Sequence, residues 1–368
     1  MAGNGFSGKA EVVLEGERDG QAAPVSPPAQ RRFQAPSTRA ILPLLVFGLG
    51  VFGLFALPNH LVYAASTALW YGLVGLGLYL PLVALRELPL HGAGMAGLSA
   101  YLFAFVASNG GIDQFALGAL VAIAVAIGLS MLVGAASLVV TGLYFTVASL
   151  VVQIGIEKVI FPIPELTGGA SGRGVDRPNL TGYFNTNRAV FLIAGSICLI
   201  ISLGVWYAKR TKVVPNWVMT GHQPEGAEAV GIRLWVQKLV IFGLSGLIIG
   251  IAGCLAAYVN GTPPSVPQFT AIWSVILIAL PIASGLRTVG ALWTVAAVFT
   301  ALPIVLSEHA INPNFLSGGI LLTAIVVSQS QDAVVARVRR LRRREVEEVT
   351  TEALAAVSAA AAAAPRAG

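Results

Sequence analysis

Ten stretches of almost unbroken apolar residues follow one another between residues 40 and 329, and no other feature restricts the folding of the chain more. They run at 40–57, 61–85, 92–108, 115–139, 142–162, 189–208, 237–259, 269–286, 289–307 and 314–329. A helix needs roughly 20 such residues to span a bilayer, and lipid accepts it because it satisfies its own backbone hydrogen bonds. Only 11% of the residues are charged and 56% are hydrophobic, whereas soluble domains carry roughly 25% charge. The expected fold class is an all-α polytopic membrane protein with about ten transmembrane helices. Runs 92–108 and 314–329 are short, and 115–139 nearly touches 142–162, so the count lies between eight and ten.

Polar segments flank these runs. Residues 1–39 carry Pro24, Pro27, Pro28 and Pro36 and are expected to be a disordered tail. The first apolar run begins near Ala40, too far along for a cleavable signal peptide, so none is expected. Residues 330–368 form a second tail, basic at first and alanine-rich at its end. Between them, 40–329 make one transmembrane domain with two longer polar loops, 163–188 and 209–236. Cytoplasmic segments of membrane proteins retain Lys and Arg. With ten spans and both termini inside, 19 of the 23 Lys and Arg residues are cytoplasmic, leaving Lys158, Arg173, Arg177 and Arg188 at the outer side. The expected topology is N-in and C-in, with 209–236 facing inward and 163–188 outward.

Several functions are disfavoured by what the sequence lacks. No G-x-x-x-x-G-K-[ST] loop is present to cradle ATP phosphates. The stretch Gly48-Leu49-Gly50-Val51-Phe52-Gly53 spells G-x-G-x-x-G, but it lies in an apolar run with no strand before it and reads as helix packing. Cys198 and Cys254 both sit in apolar runs and cannot build a disulfide framework or a zinc site. His60, His91, His222 and His309 are scattered and read as interfacial. No catalytic residue, metal or cofactor is expected, and the net charge of +6 reflects topology rather than nucleic acid.

Small residues recur at helix-contact spacing: Gly72, Gly75 and Gly77; Gly92, Gly94 and Gly97; Gly243, Gly246, Gly250 and Gly253. Such faces let helix backbones approach closely in lipid, for packing or for sliding during transport. The fifth run offers Tyr144, Thr146, Ser149, Gln153 and Glu157, of which the last four share a helical face. Two readings stay open for that face: the lining of a polar pathway, or a stripe bonded to neighbouring helices, with Glu157 and Lys158 at the interface. The outer loop contains Thr167, Gly168, Gly169 and Gly172, a glycine density that suits either an anion-binding nest or a plain linker. The inner loop reads Pro224-Glu225-Gly226-Ala227-Glu228-Ala229-Val230-Gly231-Ile232, a short helix ended by Gly231 and suited to docking in a partner's groove.

Taken in order, four blocks resemble the permease subunits of branched-chain amino-acid ABC importers of the LIV type, over about residues 66 to 329. Gly142-Leu143-Tyr144-Phe145-Thr146-Val147-Ala148-Ser149-Leu150 is similar to that family's G-L-Y-F-A-I-A-T-L, and Leu166-Thr167-Gly168-Gly169 with Gly172 to its L-T-G-G-x-x-G loop. Glu225 to Ile232 resembles the A-A-E-A-x-G-I coupling segment, and Gly285 to Trp293 the turn before the ninth span. There are departures. Ile154 stands where the family usually has an acid, Glu157 near a usual base, Gly226 at a usual alanine and Arg287 at a usual glycine. His222-Gln223 replaces an Arg and an acid, and the block around His91 lacks the glycines that commonly precede it.

The resemblance implies a ten-helix ABC importer permease in a bacterial inner membrane, working with separate ATPase subunits, a second permease and an extracytoplasmic solute-binding protein. It implies ATPase coupling by Glu225, Ala227, Glu228, Ala229, Gly231 and Ile232, and a translocation pathway near Tyr144, Thr146, Ser149 and Gln153. Branched-chain or other hydrophobic amino acids are the expected solutes, with urea or amides and sugars as alternatives. Two further rivals are an ion-coupled secondary transporter, which needs buried carboxylates near the midplane, and a membrane scaffold whose Arg337–Arg344 tail binds anionic lipid.

Overall fold

A computed structural model describes residues 59–107, 112–168, 174–175, 187–211, 213–261, 263, 266–284 and 289–307. The runs 40–57 and 314–329, both tails and the turn at 285–288 lie outside the described residues. All described residues fall in the unit Leu42–Gly368.

The other eight apolar runs are helical, and no strand occurs among the described residues. Helix α1 is Asn59–Leu85, α2 is Gly92–Ala107 and α3 is Ile112–Val139. Helix α4, Leu143–Gly155, is prolonged by a π turn, Ile156–Ile160. A four-residue α5, Pro164–Thr167, precedes α6, Asn187–Arg210. The short helices α7, Val213–His222, and α8, Pro224–Ala229, lead into α9, Leu234–Asn260. A 3-10 turn, Val266–Phe269, opens onto α10, Ala271–Ala283, and α11 is Val289–Ser307. Helices α1, α3, α6, α9 and α4 with its π turn are long and apolar enough to cross a membrane, whereas α2 and α10 are shorter.

Burial sorts these helices into centre and periphery. The apolar windows of α1 and α9 are 83% and 72% buried, against 28% for α3 and 22% for α4. Helix α9 packs along α3, α1 and α2, and its glycines let it. A Cβ added at Gly246 would lie 2.5 Å from Ser130 Cβ in α3, and one at Gly253 would lie 2.3 Å from the Ala96 carbonyl oxygen in α2. The glycine stripe thus serves two neighbours at once. Two hydroxyls add cross-helix bonds: Ser130 donates to the Phe242 carbonyl at 2.7 Å, and Ser245 to the Gly77 carbonyl at 2.8 Å.

One end of the bundle carries Lys209 and Arg210 in the last turn of α6, followed by α7 and α8. The end of α1 belongs to this basic end, because Gly221 of α7 is pressed so close to it that a Cβ there would lie 2.2 Å from the Ala84 carbonyl oxygen. So do the end of α3 and the start of α9, since Lys238 donates to the Ser137 carbonyl at 2.7 Å. At the opposite end Tyr63 bonds Asn260, and the Val175 N–H bonds the Gly261 carbonyl at 2.8 Å.

Between α1 and α2 the chain is not helical. Residues 86–91 leave the basic end, where Glu87 meets Lys238 at 2.9 Å, and reach the flank of α4, where the Leu90 N–H bonds Ser149 Oγ at 2.9 Å. Helix α2 then continues toward the opposite end, with Gly97 packed on Phe161 and Phe269. Sixteen residues give only about 24 Å of helix, short of a hydrocarbon core of about 30 Å. Non-helical backbone precedes it. Such backbone is tolerated at membrane depth only when protein covers it, and Glu87 and His91 are both buried here.

Candidate functional site

The polar face of α4 is where the sequence reading and the structure meet. Ser149 and Gln153 are buried, and each bonds to backbone that no helix satisfies. Gln153 Oε1 accepts from the Gly94 N–H at 2.6 Å and from the Ser274 hydroxyl at 2.8 Å, while its Nε2 donates to the Phe269 carbonyl at 2.7 Å. Ser274 in turn accepts from the Ala93 N–H at 3.0 Å. Helix α2 therefore starts inside the bundle with its first donors capped by side chains of α4 and α10, which is what orphan N–H groups at a buried helix start require. Gly94 is obligatory here, because an added Cβ would lie 2.6 Å from Gln153 Oε1.

The π turn extends the same role. Within it, Glu157 Oε2 accepts the Ala271 N–H at the start of α10 at 2.9 Å. The Glu157 side chain is 13% exposed and pairs with the exposed Lys158 at 2.8 Å. One face of α4 thus caps the starts of both short helices. Of the four residues expected to line a pathway, Ser149 and Gln153 come together in this node. Thr146 is half-buried and bonds within its own helix, its hydroxyl donating to the Gly142 carbonyl and its carbonyl accepting from Ser149. Tyr144 does not join them, being 78% exposed on the other side of α4 with Val147 and Val151.

The inner loop has the local shape its sequence predicts. Pro224 opens α8, and Gly231 ends it with φ of 81°, a left-handed conformation that suits glycine. The Gly231 N–H returns to the Glu228 carbonyl at 2.9 Å and the Ile232 N–H to the Ala227 carbonyl at 3.0 Å, the paired bonds of a Schellman stop. Ala227 is fully buried and Ile232 half-buried, while Glu225, Glu228, Ala229 and Gly231 are exposed. Both acids therefore stand on a small ordered projection at the basic end. Beside it, a groove of about 660 Å³ lies between α1, α6 and α7, walled by Tyr79, Val83, Val214 and Val218, with Lys209 as its cation.

In the outer loop, Gly168 is left-handed with φ of 77° and closes α5 by bonding the Pro164 carbonyl at 2.8 Å. Thr167 is buried and donates to the Ile163 carbonyl. Gly169 and Gly172 lie outside the described residues.

Two features escaped the sequence reading. Lys238, counted with the inner-side charges, lies within α9, 13% exposed, and pairs with Glu87, whose side chain is 4% exposed. His91 is not interfacial, because it has no exposed surface, and neither ring nitrogen has a hydrogen-bond partner. The interruption between two apolar runs reads as a loop at the membrane surface. Only three-dimensional packing reveals it as covered backbone.

Comparison with known proteins gives a family and a relative. The model of the family described as branched-chain amino acid transport system / permease component matches residues 60–328. A curated relative is the galactose/methyl galactoside import permease protein MglC of Salmonella typhimurium, 25% identical over 222 residues, or 56% of this chain. The matched region spans 64% of that relative's length, just under two thirds. No solved structure matches the chain.

Proposed function

Because the chain belongs to the branched-chain amino acid transport permease family, we propose that it forms the membrane pathway of an ABC importer driven by a separate ATPase. Permease components are transport subunits, so the chain moves a solute and leaves hydrolysis to its partner. The observation that carries the reading is α8: a six-residue helix with an exposed acidic side, locked by Gly231 and seated through Ala227. On the positive-inside rule the basic end bearing it faces the cytoplasm, where a nucleotide-driven motor can grip Glu225 and Glu228.

In this reading a binding protein delivers solute at the outer loop, 163–188. Ser149 and Gln153 hold the pathway's wall from behind, and the exposed side of α4 bearing Tyr144, Val147 and Val151 faces the solute or a second permease subunit. Branched-chain and other hydrophobic amino acids suit that apolar stripe. A hexose is the second reading, supported by the relative named as a galactose/methyl galactoside permease. Thermal-shift screening of the cognate binding protein against L-leucine, L-valine, D-galactose and urea separates these. Glu228→Arg is expected to abolish ATP-driven uptake while the protein still inserts and folds. Undiminished uptake in that variant defeats the coupling assignment.

A further inference from the structure

Strain and unmet hydrogen bonds collect in one stretch of this chain. Among the described residues six buried side-chain polar atoms lack a partner, and three of them, Glu87 Oε2 and both ring nitrogens of His91, lie within residues 87–91. Arg86, immediately before, is the one non-glycine residue with positive φ among the described residues, at 58°. Native structures keep both features rare, and where they persist the surroundings force them. The same stretch is not helical and is held by Lys238 on Glu87, by Ser149 on the Leu90 N–H, and at its end by the Met95 N–H on the His91 carbonyl at 3.0 Å.

Its connections run directly to the proposed motor contact. Helix α8 is followed by four connecting residues and then by α9, whose fifth residue is Lys238. A displacement of α8 therefore tilts the turn of α9 that grips Glu87. Glu87 begins the extended segment, and that segment ends at the capped start of α2 beside Gln153. A two-state element must differ in free energy between its states. Orphaned buried atoms supply such a difference, because an arrangement that gives them partners is favoured over this one by each hydrogen bond gained.

We propose that residues 86–91 are the moving strap of the transport cycle, pulled through the Lys238–Glu87 pair, and that His91 gains in the other access state the hydrogen bond it lacks here. The inference rests on the importer reading and deepens it. Glu87 and Lys238 act as positioning residues, and neither touches the solute.

The test uses the complex of this chain with its ATPase in liposomes, and Leu88→Cys as reporter, since Leu88 is 37% exposed. Cys198 and Cys254 are buried, so the parent chain supplies the labelling blank. The N-ethylmaleimide labelling rate at position 88 is expected to change about fivefold or more between the nucleotide-free and ATP–vanadate states. In the Glu87→Gln/Lys238→Gln background, which keeps a hydrogen-bonded pair without charge, that change collapses while ATP hydrolysis continues. A merely structural pair would lower the thermal midpoint and leave the labelling ratio intact.

Equal labelling in the two states of the parent, or an unchanged ratio in the double variant, overturns the inference. His91→Leu removes two orphaned nitrogens at similar volume, so the nucleotide-free midpoint should hold or rise while the labelling change shrinks. A lower midpoint with an intact labelling change would make His91 simple packing and remove it from the strap. If no ATPase is retained by the chain, the importer reading fails, and this inference with it. If the ATPase binds and hydrolyses ATP yet position 88 is insensitive, the strap alone is wrong.

Discussion

Replacing Gln153 by leucine separates a residue that lines a pathway from one that fastens helices. Leucine nearly matches glutamine in size, so the change removes hydrogen bonds with little change in volume. Three are lost: from the Gly94 N–H, from the Ser274 hydroxyl and to the Phe269 carbonyl. Ser274 keeps the Ala93 N–H as a donor to it, but two backbone groups stay buried without a partner. In soluble proteins an orphaned buried group costs about 1–3 kcal/mol. Within bilayers measured polar contacts average about 0.6 kcal/mol and reach about 1.7. Three such bonds place the loss at about 2–4 kcal/mol. Ser149→Ala removes one bond, from the Leu90 N–H, and should cost about 1 kcal/mol. Val151→Ala on the exposed side of α4 should cost about 0.5 kcal/mol or less. Equilibrium unfolding in mixed SDS and dodecyl maltoside micelles measures the order, and amide exchange at residues 90–97 should accelerate in Gln153→Leu. If Gln153→Leu unfolds like Val151→Ala while uptake falls, the pathway reading of Gln153 is correct and the fastening account is wrong.

Other substitutions probe the remaining contacts. A Cβ at Gly226 would meet nothing nearer than Met219 Cε at 3.6 Å, so Gly226→Ala should keep uptake and stabilise α8 by about 0.5–1 kcal/mol. Gly231→Ala forces a left-handed alanine and should cost about 1–2 kcal/mol, read as faster proteolysis at the inner loop. Lys238→Met strands Glu87 in the interior and should cost about 3–5 kcal/mol by the same unfolding assay, with part regained when Glu87→Gln is added. Gly246→Val must push α9 away from Ser130 and Ala126, and should lower the thermal midpoint more than Gly290→Val, where an added Cβ meets nothing within 4 Å.

The apolar runs made the helices legible, because lipid allows few other structures: 61–85 appears as Asn59–Leu85 and 237–259 as Leu234–Asn260. Gly231 was legible as a stop because a left-handed residue favours glycine. Tyr144 stands apart from Gln153 because nine residues of helix, at about 100° each, turn it about 180° away, and the geometry of a single helix is enough to see that. The π turn was not legible, and neither was the bond from the Ala271 N–H to Glu157, whose partners stand more than a hundred residues apart. Nor was the burial of His91, which follows from packing against elements such as Phe242 of α9, remote in sequence, rather than from the hydrophobic pattern itself.

The capped start of α2 also dictates an order of events during synthesis. Its donors are satisfied by Gln153, 59 residues further along the chain, and by Ser274, 181 residues on, while Ser149 takes the Leu90 N–H just before it. When α2 leaves the ribosome none of those acceptors exists, and bare amides cannot dissolve in hydrocarbon. The nascent segment must wait in a wet or sheltered place until α4 and then α10 emerge. A chain stalled before α4 emerges should therefore leave a cysteine placed in α2 open to aqueous maleimide, and one stalled after α10 emerges should not.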